Sequence, residues 1–232
     1  MREILIIITK TPKPGFCKTR LCPPLTPLEA CTVHCACLLD LTEKIKEIST
    51  IIYRTASEDD FWDTVCKYGQ TTVSETVRKI PIKTQVGEDL GQRIQQALSD
   101  ELSIADKAIL IGTDCPQISN CLLQQAFELL NEADLLLGPA ADGGYYLIGL
   151  KKAQAQLFTN ISWGSEKVLK QTLKKAEQQK LKTLLLPQLT DIDTWEDIKR
   201  LQAVDSVWAK KGQLSMLLKA LLADDALRAA HR

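Results

Sequence analysis

The chain has no excess of charge of either sign and no long apolar run. Its 232 residues include 29 basic and 29 acidic side chains, whereas proteins that bind nucleic acid usually show a basic excess. No apolar stretch approaches the roughly 18 residues of a membrane-spanning helix. The apolar run near the start, five residues long, is too short for a signal peptide. We therefore expect a cytoplasmic protein without a nucleic-acid partner or a membrane span.

Cysteine is plentiful, with eight residues, but its spacing does not match a common metal site. Cys31, Cys35 and Cys37 lie close to His34 in the pattern C-x₃-C-x-C, whereas zinc sites usually repeat a C-x₂₋₄-C pair. The segment is predicted to be helical, and on a helix residues 31 and 35 share a face that residue 37 does not. We interpret these side chains as small core residues with reduced thiols.

Strand-like and helix-like segments alternate along the chain, which predicts βαβ units and a mostly parallel sheet. The predicted strands are Ile4–Ile8, Thr50–Arg54, Ile80–Gln85, Lys107–Ile111, Asp134–Gly138, Tyr145–Leu150 and Thr183–Pro187. The predicted helices are Pro27–Glu47, Asp59–Tyr68, Gly91–Leu102, Ser119–Asn131, Ser165–Lys180, Thr194–Ala209 and Leu214–Arg228. This pattern predicts one α/β domain over 1–232, a Rossmann-like sheet with helices on both faces and a C-terminal helix from about 212.

In such sheets, ligands bind at the carboxyl ends of the strands, so the loops after strands are informative. The loop after the first strand, KTPKPGFCKTRL, contains the cations Lys10, Lys18 and Arg20 and the flexible Gly15. Cationic side chains and a glycine-containing turn near a helix start are typical of phosphate binding. A solvated surface loop is the alternative. The loop is not a Walker A motif, because that motif requires a second glycine directly before the lysine.

An aspartate follows the most apolar central strand, in the sequence GTDCP. Asp114 is thereby expected to project into the crevice at the end of the sheet. A carboxylate oxygen is a hard ligand that suits Mg²⁺ or Mn²⁺, either of which can bridge phosphate oxygens. The alternative is an aspartate that stabilises a turn or caps a helix.

The segment GPAADGGYYLIGL places Asp142 and a tyrosine pair beside two glycines. Asp-Gly-Gly is a turn signal, so a plain hairpin is one interpretation. The other is a ligand contact, in which Gly143 and Gly144 let a ligand lie against the backbone while Asp142 and the pair Tyr145/Tyr146 bind sugar hydroxyls.

The segment LTDIDTWEDI contains two aspartates at alternate positions. In an extended chain, Asp191 and Asp193 point to the same side, where they could share a cation or make hydrogen bonds within the loop. Thr194 and Asp197 have the spacing of a helix cap, so Asp197 is expected to be structural.

Two weaker features complete the set of candidates. Asp89 and Arg93, in VGEDLGQR, are close enough to a helix start to contact a ligand or only to stabilise the turn. Trp163, in ISWGS, could stack on a sugar or base, or could anchor its loop to the core.

Together these motifs resemble a family of small bacterial GT-A-like proteins, described as glycosyltransferases or selenodomain-associated transferase 1 proteins. The series KTPKPGFCKTRL, VGEDLGQR, GTDCP, GPAADGGYYLIGL, ISWGS and DIDTWEDI occurs in that order, from the first strand to the helix after Asp193. The resemblance implies the nucleotide-diphospho-sugar transferase fold and kinship with cytidylyl- and guanylyltransferases, including the phospholactate guanylyltransferase type. By position, it implies that Lys18 and Arg20 bind phosphate, and that Asp114 binds metal with Asp193 and possibly Asp191.

The chain departs from the wider group in two places. Its first loop lacks the form L-x-A-G-G-x-G-x-R, and Asp114 stands in GTDCP rather than in a D-x-D motif.

The leading functional hypothesis is a transferase dependent on Mg²⁺ or Mn²⁺ that uses a nucleotide-activated donor, with glycosyl transfer to an unknown acceptor. Lys18, Arg20, Asp114 and Asp142 are its predicted catalytic residues. The alternatives are a guanylyl- or cytidylyl-type nucleotidyltransferase acting on a phosphorylated small molecule, and a nucleotide-binding protein without catalysis.

Overall fold

The structure is a computed structural model that describes residues 1–204 and 212–230. The strands are β1 (Glu3–Thr9), β2 (Thr50–Arg54), β3 (Ile82–Thr84), β4 (Lys107–Ile111), β5 (Leu135–Pro139), β6 (Tyr145–Leu150) and β7 (Thr183–Leu185). The helices are α1 (Pro27–Lys44), α2 (Phe61–Gly69), α3 (Glu75–Arg78), α4 (Leu90–Leu102), α5 (Asn120–Leu129), α6 (Val168–Gln178), α7 (Trp195–Val204) and α8 (Gln213–Ala230).

These elements confirm the predicted order of strands and helices, with small shifts at the ends. The short helix α3 was not predicted, because four residues are too few to show a helical period. The predicted helix Thr194–Ala209 corresponds to α7, and its last five residues, 205–209, lie outside the described residues. None of the described helices is long and apolar enough to cross a membrane.

The seven strands form one sheet in the order β3-β2-β1-β4-β6-β5-β7. Only β6 runs antiparallel to its neighbours β4 and β5, and the other pairs are parallel. The predicted fold class, a mostly parallel α/β sheet with helices on both faces, is confirmed. The carboxyl ends of β1, β2, β4, β5 and β7 therefore lie at one edge of the sheet, and the loops with the candidate residues meet there.

Side chains alternate between the two faces of the sheet and build two cores. On one face, Leu5 and Ile7 of β1 pack with α1, α2 and α5. On the other face, Ile4 and Ile6 of β1 and Leu110 of β4 pack with α4 and α6. Continuous apolar strands such as β1 are expected when both faces of a parallel sheet are covered.

The helix α1 begins with the predicted capping box. The backbone amide of Thr26 donates to Glu29 Oε2 over 2.7 Å, and the Glu29 amide donates to Thr26 Oγ1 over 3.3 Å. Such reciprocal bonds satisfy amides that the first helical turn leaves free.

A third cluster joins α1, α7 and α8. Asp40 of α1 accepts hydrogen bonds from the backbone amides of Gln213 and Leu214 at 2.8 and 3.2 Å. Its carboxylate thereby supplies the cap for the first turn of α8. The C-terminal helix is thus fixed to the domain through α1.

Candidate functional site

A cavity of about 310 Å³ opens at the carboxyl edge of the sheet, on the face covered by α4 and α6. Polar and charged side chains line part of it, and an apolar floor lines the rest. The predicted candidates that line it are Arg20, Asp114, Asp142, Gly144, Tyr145, Tyr146, Trp163 and Asp191. The loops after β1, β4, β5 and β7 therefore bring together most of the acidic candidates, as the topology leads one to expect.

Lys18 and Asp114 form a partly buried ion pair at the base of this cavity. Lys18 Nζ lies 2.6 Å from Asp114 Oδ1, and the lysine side chain is only 3% exposed while the aspartate is half exposed. The ammonium also donates to the backbone carbonyl of Ile192. Lys18 thus lies behind Asp114 rather than on the cavity wall, which differs from the expected direct contact with phosphate.

The environment of this pair keeps both groups charged. Burial alone would raise the pKa of Asp114, but the charge and hydrogen bond of Lys18 hold that pKa below its ordinary value. Burial likewise opposes the charge of Lys18, and the nearby carboxylate of Asp114 raises the pKa of the lysine overall. Each charge stabilises the other, and the interaction is strengthened because the Lys18 ammonium is shielded from water.

Arg20 and Asp193 form a second ion pair, at the exposed rim. Arg20 Nη1 lies 2.6 Å from Asp193 Oδ2, and the arginine side chain is 70% exposed. Among the described residues, Arg20 is the cationic side chain that lines the cavity. Its guanidinium has donors to spare after this single contact, so it can also bind an anion.

Asp191 is a third acidic side chain on the cavity wall, beside Asp114 and Asp142. Burial, followed by the charge of Asp142 and then those of Asp114 and Asp193, raises the pKa of Asp191 to about 6. The pKa of the Arg20 guanidinium is raised in turn, first by the hydrogen bond and charge of Asp193 and then by the charges of Asp142 and Asp191. The site therefore combines four carboxylates with two cations and carries an excess of two negative charges.

The donor set of the site fits a divalent cation that a ligand helps to bind. Carboxylate oxygens are the ligands that Mg²⁺ and Mn²⁺ prefer, and a cation would offset the burial and the neighbouring carboxylates that raise the pKa of Asp191. In the described part of the chain, no three His, Cys, Asp or Glu side chains are grouped to hold a metal ion by themselves. Mg²⁺ usually takes only one or two carboxylates and completes its shell with phosphate oxygens and water.

The Asp-Gly-Gly segment forms a tight turn between β5 and β6. Asp142 Oδ1 accepts from the Gly144 amide over 2.8 Å, which fixes the turn. A side chain at residue 143 would collide with the backbone of Glu166, so Gly143 is required by packing. Tyr146 also lines the cavity, packs in the core on the other face of the sheet, and donates from its hydroxyl to the Pro187 carbonyl over 3.1 Å. The segment therefore forms the predicted turn and also lines the cavity, through Asp142 and Gly144.

Other candidates have local partners and do not line the cavity. Asp89 caps α4 by accepting from the Gln92 amide over 2.8 Å. Arg93 Nε donates to the Gly87 carbonyl over 3.0 Å. The ammonium of Lys10 donates to the Phe16 carbonyl over 2.9 Å, beside a separate cavity between the first loop and α2. Gly15, with φ of 80°, forms the exposed tip of this loop.

The predicted capping role of Asp197, in the segment LTDIDTWEDI, is confirmed. Asp197 Oδ2 accepts from the Thr194 amide and hydroxyl, each over 2.7 Å. Between the two candidate aspartates, Ile192 is fully buried, and its amide donates to the Asp114 carbonyl over 2.8 Å. This bond and the Lys18 contact fix the segment against the loop after β4.

The cysteines of α1 are buried, as interpreted from the sequence. Cys35 packs in the core between the sheet and the helices α1, α2 and α5. Cys37 packs in the cluster that joins α1 to α7 and α8. Burial raises the pKa of Cys37 to about 12, so this thiol stays protonated. His34 is also buried and lies 3.0 Å from the Lys10 carbonyl, which anchors the start of the first loop.

The apolar floor of the cavity was not predicted. Ile8 and Leu110, from adjacent strands, lie there with Leu90, Ile94 and Val168. Trp163 closes one side, where its ring meets Tyr145 edge-on at 6.4 Å and fills the space over Gly91. Gly91, in the first turn of α4, is the sequence feature that could have indicated this packing. Glycine inside a helix is costly, so its presence there suggests that a neighbouring side chain needs the space.

The fold and the position of this site define the class of nucleotide-diphospho-sugar transferase folds. A crystal structure of a candidate nucleotide-diphospho-sugar transferase from Desulfovibrio desulfuricans is 26% identical, with a TM-score of 0.84, over 95% of each chain. The Mycobacterium tuberculosis protein Rv0371c, in complex with manganese, is 14% identical over 88% of this chain and all of its own (TM-score 0.52). A Leptospira borgpetersenii cytidylyltransferase is 14% identical over 97% of this chain and 96% of its own (TM-score 0.51).

The chain belongs to the DUF2064 family, described as an uncharacterized protein conserved in bacteria, whose model matches residues 40–165. No curated protein sequence matches the chain significantly. The family, together with the similarity to the Desulfovibrio protein, confirms the predicted GT-A-like relationship and supports the prediction of a transferase.

Proposed function

We propose that this protein is a metal-dependent transferase that uses a nucleotide-activated donor and transfers its sugar to a small acceptor. The similarity to the Desulfovibrio protein over nearly the whole of both chains supports the donor class. The manganese complex of the mycobacterial protein supports a divalent cation in this fold.

The observation that carries the proposal is the charge of the cavity. Asp114, Asp142, Asp191 and Asp193 outnumber the cations Lys18 and Arg20. This arrangement would repel a diphosphate, yet it occupies the edge of the sheet where ligands bind in such folds. Mg²⁺ or Mn²⁺ held by one or two of the carboxylates Asp114, Asp191 and Asp193 would offset the negative charge and supply ligand positions for phosphate oxygens.

The other charged side chains then have distinct roles. Arg20 contacts the leaving phosphate, because it lines the cavity and has free donors. Lys18 keeps Asp114 ionised and in place from behind, through its 2.6 Å contact. Asp142, which also lines the cavity, would face the acceptor. Most of the rate enhancement would come from orientation and from stabilising charge on the leaving group.

Thermal unfolding with nucleotide ligands tests the proposal. Uridine, guanosine, cytidine and thymidine diphospho-sugars and the matching triphosphates would be added with and without Mn²⁺. We expect a nucleotide sugar to stabilise the protein only with Mn²⁺, by about 3 kcal/mol at a hundredfold excess over its dissociation constant. Asp191→Asn should lose this effect. Asp106→Asn, a substitution at the opposite edge of the sheet, should keep it.

The products formed would separate the remaining hypotheses. Glycosyl transfer or slow hydrolysis of the donor releases a nucleoside diphosphate, whereas nucleotidyl transfer from a triphosphate releases pyrophosphate. Binding without either product would indicate a nucleotide-binding protein without catalysis. If no nucleotide changes the unfolding temperature with or without Mn²⁺, the proposed function is wrong.

A further inference from the structure

One glycine at the edge of the cavity has no explanation within the protein. The chain has eleven glycines, all among the described residues. Five adopt positive φ values, which favour glycine: Gly15, Gly87, Gly143, Gly164 and Gly212. Five others have a neighbouring atom within 3.2 Å of the position that a Cβ would take: Gly69, Gly91, Gly138, Gly144 and Gly149. Gly112 alone has neither feature.

Gly112 directly follows β4 and lines the cavity. Its φ lies outside the left-handed region, and a Cβ at this residue would meet no atom within 4 Å. Its amide faces the Tyr146 carbonyl at 3.4 Å, so the backbone here continues the sheet. Any small side chain would fit the protein itself.

A side chain introduced at residue 112 would point into the cavity. Alternate residues of a strand share a face, so residue 112 shares its face with Leu110, which lies on the cavity floor. Ile8 of the neighbouring strand lies on the same floor. Asp114 is two residues further along and faces the region where the proposed metal and diphosphate would bind.

We infer that a ligand lies directly on the backbone at Gly112, and that residue 112 sets the size of the group that can be transferred. This inference rests on the proposed function. The bare floor at Gly112, with Ile8 and Leu110 beside it, presents C–H groups and backbone rather than hydrogen-bonding side chains. It suits the flat C–H face of a sugar ring attached to the diphosphate, while the ring hydroxyls face the polar side chains.

Two substitutions at this residue test the inference without relying on a loss of folding. Gly112→Ala should leave the unfolding temperature of the ligand-free protein unchanged or raise it, because the backbone is unstrained and the space is open. The same variant should bind a nucleotide sugar about tenfold more weakly, and Gly112→Val about a hundredfold more weakly, because filling an occupied space costs binding energy. A variant that is as stable as the wild type or more stable, but loses a ligand, identifies a ligand contact.

The probes are UDP-glucose and GDP-mannose, compared with UDP and GDP, all with Mn²⁺, and binding would be measured by calorimetry. We expect the Gly112 variants to lose affinity for the sugar nucleotides and to keep it for the bare diphosphates. Ala141→Val is the control, because it adds two carbons, between the one of Gly112→Ala and the three of Gly112→Val, at an exposed residue beside the cavity but off its lining; it should bind all four probes normally.

Each contrary result has its own meaning. Equal affinity of wild type and Gly112→Val for a sugar nucleotide overturns the inference and leaves the proposed function standing. An equal loss of affinity for UDP or GDP overturns the assignment of the sugar to this position. If the wild type binds none of the four probes and no nucleotide of the thermal-unfolding panel, the proposed function fails, and the inference that rests on it fails as well.

Discussion

The two ion pairs of the site have the same length but lie in different surroundings. Lys18 and Asp114 are 2.6 Å apart, and so are Arg20 and Asp193. The two cations are separated by a single residue of one loop. The Lys18 side chain is 3% exposed, however, and the Arg20 side chain is 70% exposed. Distance alone therefore does not show what either pair contributes.

Burial gives the two pairs different roles. A buried charge that loses its partner is strongly unfavourable, so the Lys18–Asp114 pair is tied to folding. An exposed pair is worth little because water and salt compete with it. Arg20 can consequently exchange Asp193 for an incoming phosphate at low cost, whereas Lys18 cannot leave Asp114.

The largest expected effect is the loss of stability in Asp114→Ala. This substitution leaves the buried Lys18 ammonium with only the Ile192 carbonyl, and we expect it to lower the free energy of unfolding by about 3 kcal/mol. Denaturant unfolding at pH 7 measures it. Lys18→Met should cost less, because the half-exposed Asp114 carboxylate can then be hydrated. The double variant Lys18→Met/Asp114→Ala should recover most of the loss. An Asp114→Ala protein as stable as the wild type would show that the pair is not coupled to folding.

A smaller effect, of opposite sign, is expected for Asp191→Asn. The pKa of Asp191 is raised from 3.8 to about 6 by burial and by neighbouring carboxylates. A carboxyl group whose folded-state pKa is raised destabilises the fold when it ionises. This cost is absent below about pH 4, grows between about pH 4 and 6, and is complete above about pH 6. Because the side chain is only partly buried, solvent screening reduces the gain from Asp191→Asn to about 1 kcal/mol at pH 7.

Unfolding free energies at several pH values would test this prediction. The gain from Asp191→Asn should disappear below about pH 4. A gain that persists at pH 3 would contradict the electrostatic cause, and a loss of stability at pH 7 would show that the Asp191 carboxylate is already compensated.

The sequence was sufficient to predict that Asp114, Asp142 and Asp191 lie together at the cavity. Asp114 and Asp191 each follow a strand, and Asp142 lies in the turn that connects β5 to β6. The parallel order of the strands then brings all three to one edge. The capping roles of Thr26 and Asp197 were also predictable, because a cap depends on residues only three positions apart.

The partners of the cations were not predictable in the same way. Lys18 adopts a left-handed backbone conformation, with φ of 51°, and its side chain turns into the protein. Its partner Asp114 is remote in sequence, and no local spacing encodes their contact. Asp89 differs, because its hydrogen bond to the residue-92 amide follows the usual cap spacing, and a capping role could have been inferred.

The exposed pair should matter for ligands more than for folding. Arg20→Gln is expected to leave the unfolding temperature unchanged, because the side chain is largely in water. It should weaken the affinity for a Mn²⁺-bound nucleotide sugar by about tenfold, the usual scale for a lost hydrogen bond to a charged group. Calorimetric titration would show the change. Arg200→Gln, which removes another exposed arginine next to an aspartate, is the matched control and should bind normally. A normal affinity in Arg20→Gln would exclude Arg20 as a phosphate contact.

The smallest expected effect is the coupling between Arg20 and Asp193 themselves, and salt should separate it from the buried pair. The screening length falls from about 30 Å at 0.01 M salt to about 3 Å at 1 M. Unfolding temperatures of Arg20→Gln, Asp193→Asn and the double variant should show a slight coupling at low salt that vanishes at 1 M. The corresponding cycle for Lys18→Met and Asp114→Ala should keep its coupling at both concentrations, because the Lys18 ammonium is shielded from salt. If both couplings fall together, burial does not distinguish the pairs, and Arg20 would be no freer than Lys18 to exchange its partner for a phosphate.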